Sequence, residues 1–474
     1  MAASPTAVTM SLPRWPPQLA TPPSPLAGYS HTMHPSAKLP NELWRQVFSF
    51  ATMVPRGFDT SLTSPFDFSE ISDGYNAFLK RLSKNHRTKQ AICLVSRKFR
   101  AIAQELIFEY LFLQDGFDWN KLAEGLETSR DIDEAQGGRG AGWYVKRLEI
   151  CTANWLCKEA MGAAAARVIR CCPNLRRLMI GGSDEAGIPA ELVHAVFETC
   201  PQALRCLQWA TDLGPQTRLM LSLLPVVRNL EFLFLYATEL YIPSSDPNHP
   251  EYNAEFPNLH TLEIVATDLD VSGLLNVMAT WKIPRLQHVI ITGARQTGSD
   301  DPLPFFLAHG ACISILEFDY LTDFHGNACD QALALCTSLQ DLILHVHFAP
   351  VQARAGHPKV KRIGIRGLNF LDCSHSSVRT ALDSLKYTLT LVLSRFPSLE
   401  AVRLLDFEQE RFKLRMWRSD DVVQWAFWVQ RFKRREIRLE DHRGDVIDFA
   451  ISDINIVLPE DPPQRCPHSR GLAN

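Results

Sequence analysis

The sequence is short of the features that mark several function classes. It has no Cys-x-x-Cys pair among its 12 cysteines, which removes the usual zinc-finger and RING ligand spacing. It contains no Asn-x-Ser/Thr sequon, and Met1–Pro17 lacks the apolar core of a signal peptide. The cysteines are therefore expected as reduced, packed thiols, and the location as cytoplasmic or nuclear. No charge-poor apolar run reaches the ~18 residues needed to cross a bilayer, so no membrane partner is expected. A formal net charge of −3 leaves no basic excess for nucleic acid. Neither a Walker-type loop nor a Ser/His/Asp or Cys/His order with local support is present. No catalytic residue, metal or cofactor is therefore assigned, and the chain is not read as an enzyme. Cys171 and Cys172 read as packed thiols rather than nucleophiles. His345 and His347 alternate on one strand pattern but lack a third ligand.

What the chain does have is a repeat, and it begins at Tyr144. An apolar residue is followed three positions on by a second and two further on by a third. The unit appears as Val145/Leu148/Ile150, Leu175/Leu178/Ile180, Leu204/Leu207/Trp209, Leu230/Leu233/Leu235 and Leu259/Leu262/Ile264. It continues as Leu286/Val289/Ile291, Ile313/Leu316/Phe318, Leu339/Leu342/Leu344, Val360/Ile363/Ile365 and Leu399/Val402/Leu404. First positions lie 21 to 39 residues apart, the longest gap implying an excursion around Asn369–Ser377. Several units follow a bulky residue and proline, as in Cys172-Pro173, Cys200-Pro201, Phe256-Pro257, Ile283-Pro284 and Phe396-Pro397. That proline is expected to end a helix and start an extended path into a strand. Helical patterns fill the gaps, clearest in Glu191–Thr199, Ser272–Trp281 and Val378–Phe396. The whole resembles a degenerate leucine-rich-repeat solenoid, which implies ten strands in one parallel concave sheet with helices outside it. One such unit cannot bury its apolar stripe alone, so the stack needs a cover. Ser419–Lys433 is the candidate, with Val422, Trp425, Trp428, Val429 and Phe432 on one face, followed by a hairpin turning near Arg443-Gly444.

Two stretches upstream carry a second pattern. In Leu39–Thr52, Leu39, Leu43, Trp44, Val47, Phe48 and Ala51 recur at helical spacing after Pro40. In Thr88–Phe108, Ile92, Val95, Phe99, Ile102 and Leu106 do the same, around the run Leu94-Val95-Ser96-Arg97-Lys98-Phe99. Together they resemble an F-box, with Ser96 and Phe99 standing where that family usually has Cys and Trp. The long insert between them is similar to the interrupted F-box of many proteins of mushroom-forming fungi. Its first half is acidic and its second half basic, with a short helix expected near Gly74–Ser83.

The fold class expected is α/β: a leucine-rich-repeat-like solenoid with a parallel concave sheet, preceded by a small all-α F-box domain. The order reads as a Pro/Ser/Thr-rich disordered arm (1–37), an F-box-like domain (38–113) with insert 53–87, and a linker (114–142). The solenoid (143–410), a C-terminal cap (411–461) and a tail (462–474) follow. The Gly-rich run Gly137–Gly142 reads as part of the linker, because neither a strand nor a helix flanks it as a phosphate loop requires.

The resemblance implies a substrate-recognition subunit of a Skp–cullin–F-box ubiquitin ligase. A Skp-type adaptor, and through it a cullin, would meet Leu39, Pro40, Leu43, Val47, Leu94, Val95 and Phe99. Strand alternation turns the residues between the repeat positions toward the groove, where a target protein would bind. There lie Phe232, Phe234 and Tyr236, an acidic set of Glu263, Glu317, Asp319 and Asp341, and a basic set of Arg362, Arg366 and Arg403. The three aromatics equally suit packing beneath Pro243–Phe256 or beneath the insert. Two other functions stay open: an F-box scaffold outside any ligase, and an enzyme using the groove.

Overall fold

The computed structural model describes residues 39–53, 66, 74–114, 118–151, 159–181, 189–210, 217–237, 253–266, 272–292, 303–318, 328–346, 356–368, 375–407 and 419–447. The arm 1–37, the tail 462–474, Asp319 and His347 lie outside them, as does most of Pro243–Phe256. The chain divides into two compact units, Met1–Leu62 with Ser69–Cys312, and Thr63–Phe68 with Ile313–Asn474.

Every repeat position named above is buried, and this is what makes strands of these segments. The first unit holds β1 (Tyr110–Gln114), β2 (Arg147–Cys151), β3 (Arg177–Gly181), β4 (Cys206–Ala210), β5 (Phe232–Ala237), β6 (Thr261–Ala266) and β7 (His288–Thr292). The second holds β8 (Ile315–Phe318), β9 (Asp341–His345), β10 (Arg362–Arg366), β11 (Ala401–Leu404) and β12 (Arg438–Glu440). Within each unit the strands pair in parallel in chain order, as a leucine-rich-repeat-like α/β solenoid requires. Second and third apolar positions pair in register, Leu148 with Leu178 and Ile150 with Ile180, then Leu178 with Leu207.

Among the described residues a backbone rung precedes most of the strands. Arg176 N–H donates to Lys146 O at 2.8 Å, Arg205 to Arg176 at 2.8 Å, and Glu231 to Arg205 at 2.7 Å. The second unit repeats it, with Lys361 N–H on Gln340 O at 2.8 Å and Glu400 on Lys361 at 2.7 Å. The prolines work differently from expectation. They occupy the second place of a tight turn whose first carbonyl accepts from the next repeat residue: Leu175 N–H on Cys172 O, Leu259 on Phe256, Leu286 on Ile283 and Leu399 on Phe396. Proline's fixed φ suits that place, so the chain folds back rather than running on extended.

The helices are α1 (Asn41–Ala51), α2 (Gly74–Val95), α3 (Arg97–Phe108), α4 (Trp119–Ala135), α5 (Glu159–Arg170), α6 (Ala190–Thr199) and α7 (Thr217–Leu223). After them come α8 (Ser272–Ala279), α9 (Leu303–His309), α10 (Ala328–Leu335), α11 (His375–Arg395) and α12 (Ser419–Arg434). Neighbouring helices line up beside one another, α4 on α5, α5 on α6 and α8 on α9.

Four expectations are corrected. Residues 114–142 are no linker: Trp119, Leu122, Ala123 and Leu126 are buried along α4, capped by Asp118, whose Oδ1 accepts from Lys121 N–H at 3.1 Å. The glycines behind that reading serve close packing instead. A Cβ on Gly140 would lie 2.6 Å from Arg130 Cα, and one on Gly142 2.1 Å from Cys171 O. Second, Thr88–Phe108 is not one helix. Ser96 breaks it, with extended backbone and an Oγ that accepts from Phe99 N–H at 3.1 Å. Third, among the described residues two strands join those of the ten repeat segments: β1, from the end of 38–113, pairs with β2, and β12, from the cap region, pairs with β11. Fourth, the expected hairpin is reduced to a Glu440–Val446 bridge, since β12 pairs in parallel with β11.

Candidate functional site

The helical segment α1–α3 sorts its apolar residues into two sets. Phe48, Ile102, Ala103 and Leu106 are buried together, with Trp44, Ile92, Cys93 and Phe99 packed against them. Trp44, Phe48 and Phe99 form a ring cluster with centroids 4.6 to 5.5 Å apart. Because Trp44 and Phe48 take the inner side of α1, Leu43, Val47 and Phe50 fall outside it. Leu39, Pro40, Leu43, Val47, Leu94 and Val95 are all exposed, Leu94 to 79%. Lys98 Nζ donates to Leu39 O at 3.3 Å, holding the start of α1 beside the α2–α3 junction. Arg45 and Glu105 add a 3.0 Å ion pair between α1 and α3. Phe99 belongs to the inner cluster, so of the seven residues it is the one that is not exposed. The sequence reading missed Phe50 and Met53, 80% and 61% exposed, although Phe50 continues the Leu43/Val47 spacing.

In the first unit, the sheet face opposite the repeat residues carries the aromatic strip. Phe232, Phe234 and Tyr236 alternate along β5 with buried Leu233 and Leu235, and all three are partly exposed. Most of Pro243–Phe256 and of the insert, beneath which packing was expected, lies outside the described residues. Register places Phe234 between Gln208 of β4 and Glu263 of β6. A charge cluster not anticipated lies on β1 and β2. Glu149 is fully buried, accepting from Arg147 Nε at 2.7 Å, from Arg147 Nη2, and from Tyr110 Oη at 2.7 Å. Burying a carboxylate is tolerated here because donors satisfy it. Tyr110 had been placed outside the repeat, which hid this constellation.

In the second unit, the acidic and basic sets do not stand apart as separate patches. Arg362 Nε donates to Asp341 Oδ1 at 2.7 Å, and Arg366 pairs with Glu317 at 2.9 Å. Arg403 donates through Nε and Nη2 to Glu440 Oε2 at 2.9 and 2.7 Å. Asp341, Glu317 and Glu440 are buried under these guanidiniums. Strand neighbours supply the counter-charge, so the basic residues do not form a free positive block. One residue of the insert sits on this face. Phe66 is buried, its ring 4.7 Å from Arg362 Cζ and 5.7 Å from Arg403 Cζ, and its carbonyl accepts from Arg403 Nη1.

Burial pushes the thiols of Cys200, Cys329 and Cys336 up to about 12, far from a reactive thiolate. Cys172 is likewise pushed well up by burial, and its Sγ lies 3.1 Å from Val168 O. Among the described residues no group of three His, Cys, Asp or Glu could hold a metal, and no helix is long and apolar enough to cross a membrane. His345 is buried with its ring against Gly367.

Fold and faces together define a repeat solenoid of the leucine-rich-repeat kind with an exposed apolar helical segment. No protein-family model and no curated protein matches the sequence. Solved structures do match. One is the leucine-rich repeat-containing protein LegL7 from Legionella pneumophila, with 11% identity and TM-score 0.35 over 73% of this chain and 89% of that one. Another is the complex of Rad7 and Elc1 in yeast, with 14% identity and TM-score 0.30 over 73% of this chain and 94% of that one.

Proposed function

We propose that this chain is the substrate-recognition subunit of a Skp–cullin–F-box ubiquitin ligase, with α1–α3 as the F-box. The observation that supports this reading best is the set of apolar side chains that α1 and the α2–α3 junction leave in water. Leu43, Val47 and Phe50 lie on the outer side of α1, with Leu39, Leu94 and Val95 beside them. Such a cluster costs free energy in a free monomer and suits a protein partner. The repeat sheet then holds the target, and the chain makes or breaks no bond. Ubiquitin transfer is performed by the partner subunits, and proximity is this chain's contribution.

The test is a pull-down of purified Skp-type adaptor by the full chain and by a Leu43→Asp/Val47→Asp variant. Both positions are exposed, so the variant keeps its circular dichroism while adaptor affinity falls at least ~10-fold. Equal adaptor capture by the two chains overturns the assignment. Capture of adaptor without cullin, from cells holding both, favours the scaffold reading.

A further inference from the structure

The insert is the part of the chain that the proposed function leaves without a role, and it contributes Phe66 to the sheet face of β10–β12. The surroundings of that ring are built, not incidental. Arg362 and Arg403 each spend their forked edges on a buried carboxylate, Asp341 and Glu440. To Phe66 both present the flat guanidinium face, and Arg403 also presents one further N–H, on Nη1. Phe66 takes both: its ring lies near each guanidinium and its carbonyl accepts from Nη1. A guanidinium over a ring is attracted by the negative face of the π system.

Two glycines shape the place. Gly364 lies in register beside Arg403 and two residues from Arg362, leaving no side chain between them. A Cβ there would come within 2.8 Å of Leu405 Cδ1 and 3.1 Å of Ile343 Cγ1. Gly444, with φ of +84°, turns the chain behind Arg403, and a Cβ there would meet Arg403 Nη2 at 2.5 Å. A side chain at Gly444 would thus collide with the Arg403 guanidinium. Arg362 pairs with Asp341, and Arg403 shares Glu440 with Arg438; the occupant that these groups hold on the sheet face is an aromatic ring with its peptide carbonyl.

We propose that the Arg362–Arg403 face is a docking site for a linear peptide segment of a target protein, one presenting an aromatic side chain, and that Phe66 occupies it in cis until such a segment displaces it. This rests on the reading of the sheet as the target side, but not on adaptor docking. An occupant on the same chain acts at an effective concentration of roughly millimolar, so it masks the site from dilute ligands. Removing the Phe66 ring is therefore expected to open the site rather than merely to loosen the fold.

The probe is a fluorescent peptide spanning residues 61–70 of this chain, with a second version in which its Phe66 is alanine. Binding is measured by anisotropy on the full chain alone, without adaptor. The Phe66→Ala chain is expected to bind the first peptide at least ~10-fold more tightly than the wild-type chain does, and not to bind the second. Placing Arg403→Lys in that background keeps the charge on Glu440 but loses the fork, and binding drops at least ~5-fold. Equal binding by wild type and Phe66→Ala, binding of both peptides alike, or no binding by either chain overturns the proposal. Should Phe66→Ala fail to fold, the wild-type chain must still take up the first peptide at millimolar concentration and refuse the second. Loss of adaptor capture in the earlier pull-down leaves all these results intact, so the two ideas fail separately.

Discussion

Glu149 shows what a single residue demands of its neighbours. It is fully buried on the sheet face and survives there because Arg147 and Tyr110 satisfy it. Removing the cation alone leaves an uncompensated charge in the interior, a cost of about 3–5 kcal/mol. Arg147→Met is therefore expected to lower stability by that order, whereas Arg147→Met/Glu149→Met recovers most of the loss. Urea denaturation of the two variants and the wild type checks it: equal midpoints for single and double mutants would mean the pair is not coupled. None of this was legible from the letters. Arg147 and Glu149 flank a repeat leucine and looked like any two wet residues of an exposed strand face.

Among the elements, α12 is the one whose apolar face the pattern exposed best. Trp425, Trp428, Val429 and Phe432 are all buried, and Trp425 lies 5.3 Å from Phe407 beyond the last repeat leucine. A helix with this buried face is expected to cover the end of an apolar stack that would otherwise meet water. Trp428→Ala is expected to cost about 3–5 kcal/mol, read as a loss of thermal midpoint and a gain in binding of an apolar dye. A change below ~1 kcal/mol would show that the stack does not rely on this cover. Boundaries were harder to read than existence. Ser96 is a helix cap because its Oγ meets Phe99 N–H, yet the apolar spacing runs straight through it. Likewise α4 was hidden by glycines whose purpose is close approach to Arg130 and Cys171, contacts that exist only after folding.

For the molecule as a whole, acid is the condition to test. Burial holds His86, His309 and His357 below their ordinary value of 6.5; Lys89 adds to the effect at His86, and the Met278 carbonyl opposes it at His309. The unfolded chain takes up protons near 6.5 that the native chain refuses. Stability is therefore greatest above that value and falls as pH drops toward the lowered native values. The urea midpoint is expected to be lower at about pH 5.5 than at about pH 7.5, and His309→Gln to show a shallower loss. A midpoint that rises on acidification would contradict it.

By itself the sequence determined the repeat, its buried positions and the α/β solenoid, because strand alternation and a fixed apolar triplet leave one way to hide those side chains. Helical spacing also pointed to α1, but it put Leu43, Trp44, Val47 and Phe48 on one apolar side, and only packing separated buried Phe48 from exposed Leu43, Val47 and Phe50. Only the tertiary structure decided which charges meet. Arg362, Arg366 and Arg403 lie 21 to 49 residues from Asp341, Glu317 and Glu440, and only strand register makes them neighbours. Phe66 is the extreme case. It lies 337 residues from Arg403 in the chain, and no local pattern reaches across that distance.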